Sequence, residues 1–327
     1  MGEKITYGSA IQTAFEYILE NYDNSFIIGQ GLWSPWYVGN TMVNLDKKFG
    51  KERVIDCPVS ENSVTGTALG AALNGMKAIV VHPRMDFMIL ATDQIVNQAA
   101  KWQSMLGGGI KIPLTIRSII NRGGEQGAQH SQALHSWYSH IPGLRVVMPA
   151  FANDARDLLI ASILSNDPVL YIDDRWCADL EEEATDLVEL DIKNIGPKVV
   201  KSGSDITIVG TGFSSFQAFE ASKELEKNNI NAEVIDCRVL NPFNPDLIID
   251  SVNKTRKLLV IDGAWKNCGF AGEVIASVAE KFTNFAIPPK RMNLKDSPAP
   301  TSKPLEQDYY INIRDIINNA KDLSTNY

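Results

Sequence analysis

Apolar and polar positions along this chain follow two alternating periods. Ile11, Ala14, Phe15, Ile18 and Leu19 recur at helical spacing and predict an amphipathic helix over about residues 8–22. The short apolar run at 26–28 predicts a strand. From Val54 onward the two kinds of segment take turns. Strands are expected at 54–55, 78–81, 114–117, 145–147 and 169–172. Helices are expected from Glu61, over 88–104, near 132–139 and over 153–164. Nearly uniform apolar strands separated by helices predict a largely parallel sheet covered on both faces, whose ligands bind beyond the carboxyl ends of strands.

The pattern breaks between 177 and 201. Glu181, Glu182, Glu183, Asp186, Glu189 and Asp191 make an acidic, weakly periodic connector, expected to be a solvated domain boundary. A smaller α/β unit follows, with strands at 205–209, 232–236 and 257–261. Its helices are expected at 214–227, about 246–253, 271–282 and near 311–319. The expected division is a domain over 1–180, a linker over 181–200 and a second domain over 201–327, which suits a chain of 327 residues. Gly210-Thr211-Gly212 opens like a dinucleotide fingerprint, but Ser215 stands where its third glycine belongs, so the match is set aside.

Composition narrows the function classes. Charged residues make up 21% and hydrophobic residues 44%, an ordinary globular profile, and the formal net charge is -8. That charge argues against nucleic acid or an anionic membrane as the main partner. Asn74 and Lys77 interrupt the longest apolar stretch, so no membrane span is expected. The N-terminus carries no apolar signal core, which makes a cytoplasmic location the expectation. Met1-Gly2 with Thr6 fits a loose myristoylation pattern and is read as coincidence. Cys57, Cys177, Cys237 and Cys268 form no CxxC pair and read as free thiols of a reducing compartment.

Candidate chemistry centres on the stretch 58–75. Ser60 reads as an N-cap, Glu61 falls in the first helical turn, and Val64, Ala68, Leu69, Ala71 and Ala72 follow at near-helical spacing. Gly66 and Gly70 leave a smooth wall that a backbone or flat ligand approaches closely. Two readings of Glu61 stay open. One is an acid stabilised by the helix dipole; the other is a semi-buried acid hydrogen-bonded to a ligand ring nitrogen. The loop over 29–40 holds Trp33, Trp36 and Tyr37, which either cap the core or wall a pocket. His130, His135 and His140 are spaced by five, so successive side chains rotate about 140° and do not share a helix face. His130 ends the glycine-rich loop 122–129 and reads as a helix-start residue at a pocket rim, suited to proton transfer, or as an ordinary helix start. His135 and His140 are expected to pack or cap.

A set of motifs in one order carries a family resemblance. It comprises the Glu61 segment, Asp86-Phe87, Asp93-Gln94 with Asn97 and Ala99-Ala100-Lys101, and Gly107-Gly108. It continues with His130-Ser131-Gln132, His140-Ile141-Pro142-Gly143-Leu144 and Asp167-Pro168-Val169. Val234-Ile235-Asp236 with Arg238 and Pro242, then Lys303-Pro304-Leu305-Glu306, extend the match over nearly the whole chain. Together they resemble the β subunit of the decarboxylating component of 2-oxo-acid dehydrogenase complexes, a transketolase-like family. The resemblance implies a parallel-sheet pyrimidine-binding domain followed by a smaller transketolase C-terminal-type domain. It also implies thiamine diphosphate shared with an α subunit, which carries magnesium and the diphosphate, within a heterotetramer that includes a β–β contact. No GDG motif followed by a suitable Asn occurs here, in keeping with a half-site chain.

Roles follow for matching positions. Glu61 would hydrogen-bond the aminopyrimidine and promote the imino form that deprotonates the thiazolium carbon, and Phe87 would stack on the same ring. Before the resemblance, Phe87 reads equally as a core aromatic. His130 would sit at the substrate end. The family's structural potassium, held largely by backbone carbonyls, maps to Leu114, Ser162, Ile163, Ser165 and Asp167. Departures are Gln30 where the family usually has an acid, Pro35-Trp36-Tyr37 beside the pocket, and His82-Pro83-Arg84 before Asp86-Phe87. The leading expectation is therefore a β subunit that decarboxylates a 2-oxo acid and passes the acyl unit on, with a lipoyl acyltransferase as an optional partner. The altered loop keeps open an acyl or ketol transferase or decarboxylase without a lipoyl complex. A non-catalytic scaffold is the third alternative, opposed by Glu61, Phe87 and His130 occurring together.

Overall fold

The computed structural model describes residues 3–34 and 36–325. The myristoylation match at Met1-Gly2 and Pro35 of the aromatic loop lie outside the described residues. The chain forms two units. One gathers residues 1–121, 137–147 and 151–195, and the other 122–136, 148–150 and 196–327.

The first unit opens with β1 (Lys4–Thr6) and α1 (Tyr7–Asn21). Thr6 and Ser9 form a reciprocal capping box, and α1 buries Ile11, Ala14, Phe15, Ile18 and Leu19 as its spacing predicts. The strands are β2 (Ser25–Gly29), β3 (Val54–Asp56), β4 (Lys77–His82), β5 (Leu114–Ile120), β6 (Arg145–Val147) and β7 (Val169–Asp174). They run in the order β6-β7-β5-β4-β2-β3, and every pair is parallel. Right-handed crossovers through helices generate such sheets, so the alternation in the sequence was sufficient to predict it. The helices of this unit are α2 (Leu45–Phe49), α3 (Glu61–Leu73), α4 (Met85–Met88), α5 (Ala100–Met105), α6 (His135–Ser139, begun in the second unit) and α7 (Ala152–Leu164).

Three expectations need correction. The helix over 88–104 is not one α-helix: α4 passes into a 3₁₀ turn at Ile89–Ala91, then a π-helical stretch at Gln94–Ala99, before α5. A period near 3.6 does not distinguish these forms, and π-helical turns widen a helix locally. The acidic connector is structured rather than merely solvated. Its β8 (Glu181–Glu183) pairs antiparallel with β1, and Glu189 accepts hydrogen bonds from Tyr17 (2.7 Å) and Tyr22 (2.8 Å). The helix expected near 132–139 is confined to α6, so His130 lies in a turn and starts no helix.

The second unit holds a sheet of order β14-β13-β10-β11-β9. Its strands are β9 (Lys198–Lys201), β10 (Ile206–Gly210), β11 (Ala232–Asp236), β13 (Leu258–Trp265) and β14 (Lys290–Leu294), with a further short strand, β12 (Val239–Asn241), in the same half of the chain. Only β9 runs antiparallel to its neighbour. The helices α8 (Phe213–Glu226), α9 (Asp246–Thr255), α10 (Phe270–Ala279), α11 (Lys303–Tyr309) and α12 (Ile313–Thr325) complete it. Ala218, Ala221 and Leu225 of α8 and Ile316, Ala320 and Leu323 of α12 share one core with Ile206, Ile208 and Val234.

One polar group sits within the first unit's core. Arg117 of β5 is buried beside Asp173 of β7, to which its Nε donates at 2.6 Å. Arg117 Nη1 donates to Thr41 Oγ1 (2.8 Å), and Tyr7 Oη donates to the other oxygen of Asp173 (3.2 Å). Removing one member of a buried ion pair leaves the other uncompensated. Asp173→Asn is therefore expected to destabilise the chain by about 3–5 kcal/mol in urea unfolding.

Candidate functional site

Glu61 is the first residue of α3 and half-buried. Ser60 occupies the N-cap position, but its side chain makes no capping bond, a correction to the cap expected there. The Glu61 carboxylate makes no hydrogen bond or ion pair with any described residue. Its charge is felt at Cys57, whose thiol is pushed up to about 11 by burial first, then by Asp56 and Glu61. Cys57 is thus a neutral thiol at physiological pH and no candidate nucleophile.

The expected smooth wall divides into two parts. A Cβ at Gly66 would touch the Gln94 side chain at 3.4 Å, whereas one at Gly70 would meet nothing within 4 Å. The helix packs on β4, α4 and the π-helical stretch, and it buries Thr65, Ala68, Leu69 and Ala72. Thr65 Oγ1 and His82 Nε2 share a hydrogen bond of 3.1 Å, one turn along from Glu61. That contact ties the Glu61 helix to the carboxyl end of β4.

Phe87 projects from α4 with 39% of its surface exposed, while Met85, Asp86 and Met88 around it are buried. The core-aromatic reading of Phe87 is thereby set aside. The aromatic loop is ordered by its backbone. The Asp56 carboxylate accepts from Gly31 N (2.7 Å), and Trp33 Nε1 donates to Val54 O (2.8 Å). Gly31 adopts φ +71°, and a Cβ there would fall 2.1 Å from the Tyr37 ring. Gln30 Nε2 donates to Tyr37 Oη at 2.7 Å. Trp36 remains 70% exposed, so the loop's aromatics do not simply cap the core.

His130 belongs to the second unit, on a segment fixed at several points. Arg122 Nη1 donates to Gly263 O (3.1 Å), and Glu125 N donates to the buried carboxylate of Glu306 (3.0 Å). His135 Nε2 meets Asp262 Oδ1 at 2.9 Å, both side chains fully buried. Burial alone would raise the Asp262 pKa. His135 and the N–H groups of Ala271 and Ala264 outweigh it and hold the carboxyl below its ordinary value. An ionised Asp262 only accepts, so His135 Nε2 carries the hydrogen. His135 therefore packs, as expected, and does so as an anchor; His140 is exposed.

The five positions mapped to potassium occupy adjoining segments of the first unit. Ser162 and Ile163 lie in the last turn of α7, Ser165 is its C-cap and Asp167 follows, while Leu114 opens β5. Ile112 N donates to Asn166 O at 2.8 Å and joins the two segments. No group of three or more His, Cys, Asp or Glu that could hold a metal occurs among the described residues.

Sequence reading missed Thr65, Asp262 and Arg175, and named Glu306 and Arg84 only as parts of a matching and a departing stretch, with no role. Asp262 had a signal, since it interrupts an otherwise apolar strand, and a carboxylate there needs a partner.

Comparison with known proteins now adds to the geometry. Residues 3–175 match the transketolase pyrimidine-binding domain, and residues 197–316 match the transketolase C-terminal domain. The chain belongs to the transketolase-type family. Among its relatives is the β subunit of acetoin:2,6-dichlorophenolindophenol oxidoreductase of Bacillus subtilis, 33% identical over 94% of both chains. The pyruvate dehydrogenase E1 component subunit β of Rickettsia bellii is 34% identical over 97% of this family member and 98% of its own length. A split-gene transketolase, solved as an inactive β4 tetramer, shares the fold with a TM-score of 0.77 at 20% identity, covering 98% of each chain. The two-domain architecture expected from the motifs is thus that of the family. No helix of this transketolase-type chain is long and apolar enough to cross a membrane among the described residues.

Two outcomes test the site's construction. Burial lowers the His82 pKa to about 4 from 6.5, so the folded chain keeps His82 neutral where the unfolded chain protonates. Its contribution is complete above pH 6.5 and is lost as pH falls through about 4, by about 3 kcal/mol in all. His82→Gln is expected to flatten the fall in urea-unfolding stability between pH 7 and pH 4.5. Asp262→Asn is expected to speed hydrogen exchange over residues 123–134 while exchange in β2 to β5 stays as it was.

Proposed function

We propose that the chain is the β subunit of a heteromeric thiamine-diphosphate enzyme that decarboxylates a 2-oxo acid and transfers the acyl unit. The observation that carries this reading is Glu61: a half-buried carboxylate that neither caps nor pairs within the described residues, at the head of a helix over the carboxyl end of a parallel sheet. The exposed Phe87 face fits a flat ring in the same unit. Relatives named as pyruvate dehydrogenase E1 and acetoin oxidoreductase β subunits support the same reading.

Thiamine diphosphate, when bound, supplies a ring that stabilises carbanions. Glu61 would hold a proton against an aminopyrimidine nitrogen, and Phe87 would offer an apolar face to that ring. His130, on its anchored loop, would bind or protonate at the substrate end. An α subunit would supply the diphosphate and magnesium site, in a heterotetramer with a β–β contact. Potassium would bind carbonyls among Leu114, Ser162, Ile163, Ser165 and Asp167, where the C-terminal end of α7 favours a cation. The expected division at 1–180, 181–200 and 201–327 is the domain boundary proposed for this subunit.

A second reading, an acyl or ketol transferase without a lipoyl partner, draws on one observation. Gln30, bonded to Tyr37, is a neutral group where the family usually places an acid. In the complex reconstituted with its α partner, Glu61→Gln is expected to cut turnover by about a hundredfold or more, in line with loss of a positioned proton-transfer group. Wild-type turnover in that variant, with cofactor binding unchanged by titration calorimetry, would remove the assignment.

A further inference from the structure

Arg84 and Arg175 stand on either side of the first unit's central strand. Arg84 follows the carboxyl end of β4 by two residues, and Arg175 directly follows that of β7. Both strands pair in parallel with β5, which sets their ends about 10 Å apart, and the Arg84 charge acts on Arg175 across that gap. Asn121 Nδ2 donates to Pro83 O (3.0 Å) and fixes the backbone before Arg84. The Asp174 carboxylate accepts from Trp176 N (3.1 Å) and fixes the turn that Arg175 opens.

Both guanidinium groups are half-buried, and neither makes a hydrogen bond or ion pair with any described residue. Arg84 Nη1 is shielded from solvent and lacks an acceptor among the described residues. Burial first, then the charges of Arg84 and Arg117, pull Arg175 below the usual guanidinium range, and Asp173 and Asp179 only partly offset them. Asp173 is already engaged by Arg117 and Tyr7. The aromatic loop closes on the same group, since a Cβ at Gly39 would lie 2.8 Å from Arg175 Nη1. Like charges left half-buried without acceptors oppose folding, and an arginine fork matches a carboxylate or phosphate in shape and charge.

We propose that Arg84 and Arg175 clamp an oxyanion, either carboxylate or phosphoryl, carried by the substrate at a position remote from the reacting carboxylate. The clamp thereby selects dianionic over monoanionic 2-oxo acids. This rests on the decarboxylase reading. A clamp on the departing carboxylate would stabilise the ground state more than the transition state and slow the reaction, so the anion held is a second one.

The test has two independent arms. In the first, the full chain is titrated with inorganic phosphate and with glutarate at matched ionic strength, followed by melting temperature against chloride controls. One of these anions is expected to stabilise the chain, which names the phosphoryl or the carboxylate source. Arg84→Met and Arg175→Met are each expected to weaken that effect at least tenfold. Without an anion, both variants are expected to melt at or above the wild-type temperature, because repulsion is relieved. A drop of several degrees would mark the pair as structural and overturn the proposal, as would anion binding equal in wild type and variants.

In the second arm, the complex reconstituted with its α partner is assayed with 2-oxoglutarate and pyruvate. The ratio of their kcat/KM values is expected to fall at least tenfold in either variant, and an unchanged ratio would overturn the selectivity. If the wild-type complex decarboxylates no 2-oxo acid while anion binding still requires the arginines, the decarboxylase reading fails and the clamp stands.

Discussion

The buried pair of Arg117 and Asp173 is the constraint on which the first unit's polar architecture depends. Two ions in an apolar sheet are tolerated only when the remaining donors and acceptors find partners. Here Thr41 and Tyr7 serve them, and the Phe15 ring lies 5.5 Å from the guanidinium carbon. The pair therefore fastens four elements at one point: β5, β7, the start of α1 and the end of the aromatic loop. It also commits Asp173, the carboxylate that acts most on Arg175. Two unpaired arginines at the strand ends are thus a consequence of how the sheet interior is satisfied.

The second unit solves a different problem, which is how to hold a histidine on a loop. A glycine-rich segment has many conformations to lose, and ordering it requires fixed points. Those points come from residues distant in sequence: Gly263 and Asp262 on β13, and Glu306 on α11. The chain enters this unit at Arg122 and leaves it after Ser136, so the loop belongs with the C-terminal sheet although it precedes that sheet by many residues.

Much of this was legible before any coordinates. Parallel strands covered by helices produce continuous apolar runs, and those runs marked the six strands of the first unit's parallel sheet and the three central strands of the second, but not the edge strands β9 and β14, which carry lysines and arginine. Glu61 stood out because an acid followed by small apolar residues is a conflict between burial and charge. Elements of three residues with charged side chains, such as β1 and β8, carry no periodic signal and were missed. The π-helical stretch was hidden because a one-residue change in hydrogen-bond register leaves the apolar spacing almost unaltered. The anchors of the histidine loop were illegible for another reason: each is a single polar residue whose partner lies across the fold, and pairing across distance is not written locally.

Gln30 and Arg84 shift the first unit's electrostatics in one direction. Position 30 carries a neutral amide rather than an acid, and the stretch just before Asp86-Phe87 carries a guanidinium. The chain as a whole has a formal charge of -8, so two guanidinium groups left without acceptors among the described residues at these strand ends run against its average field. Such a reversal has little value for solubility, and half-buried charges without acceptors cost stability. It does provide a sink for an anion at the carboxyl ends of parallel strands, where ligands of these sheets bind. The same reversal bears on the reaction, since positive charge remote from the scissile bond holds substrate without favouring the carboxylate that must leave.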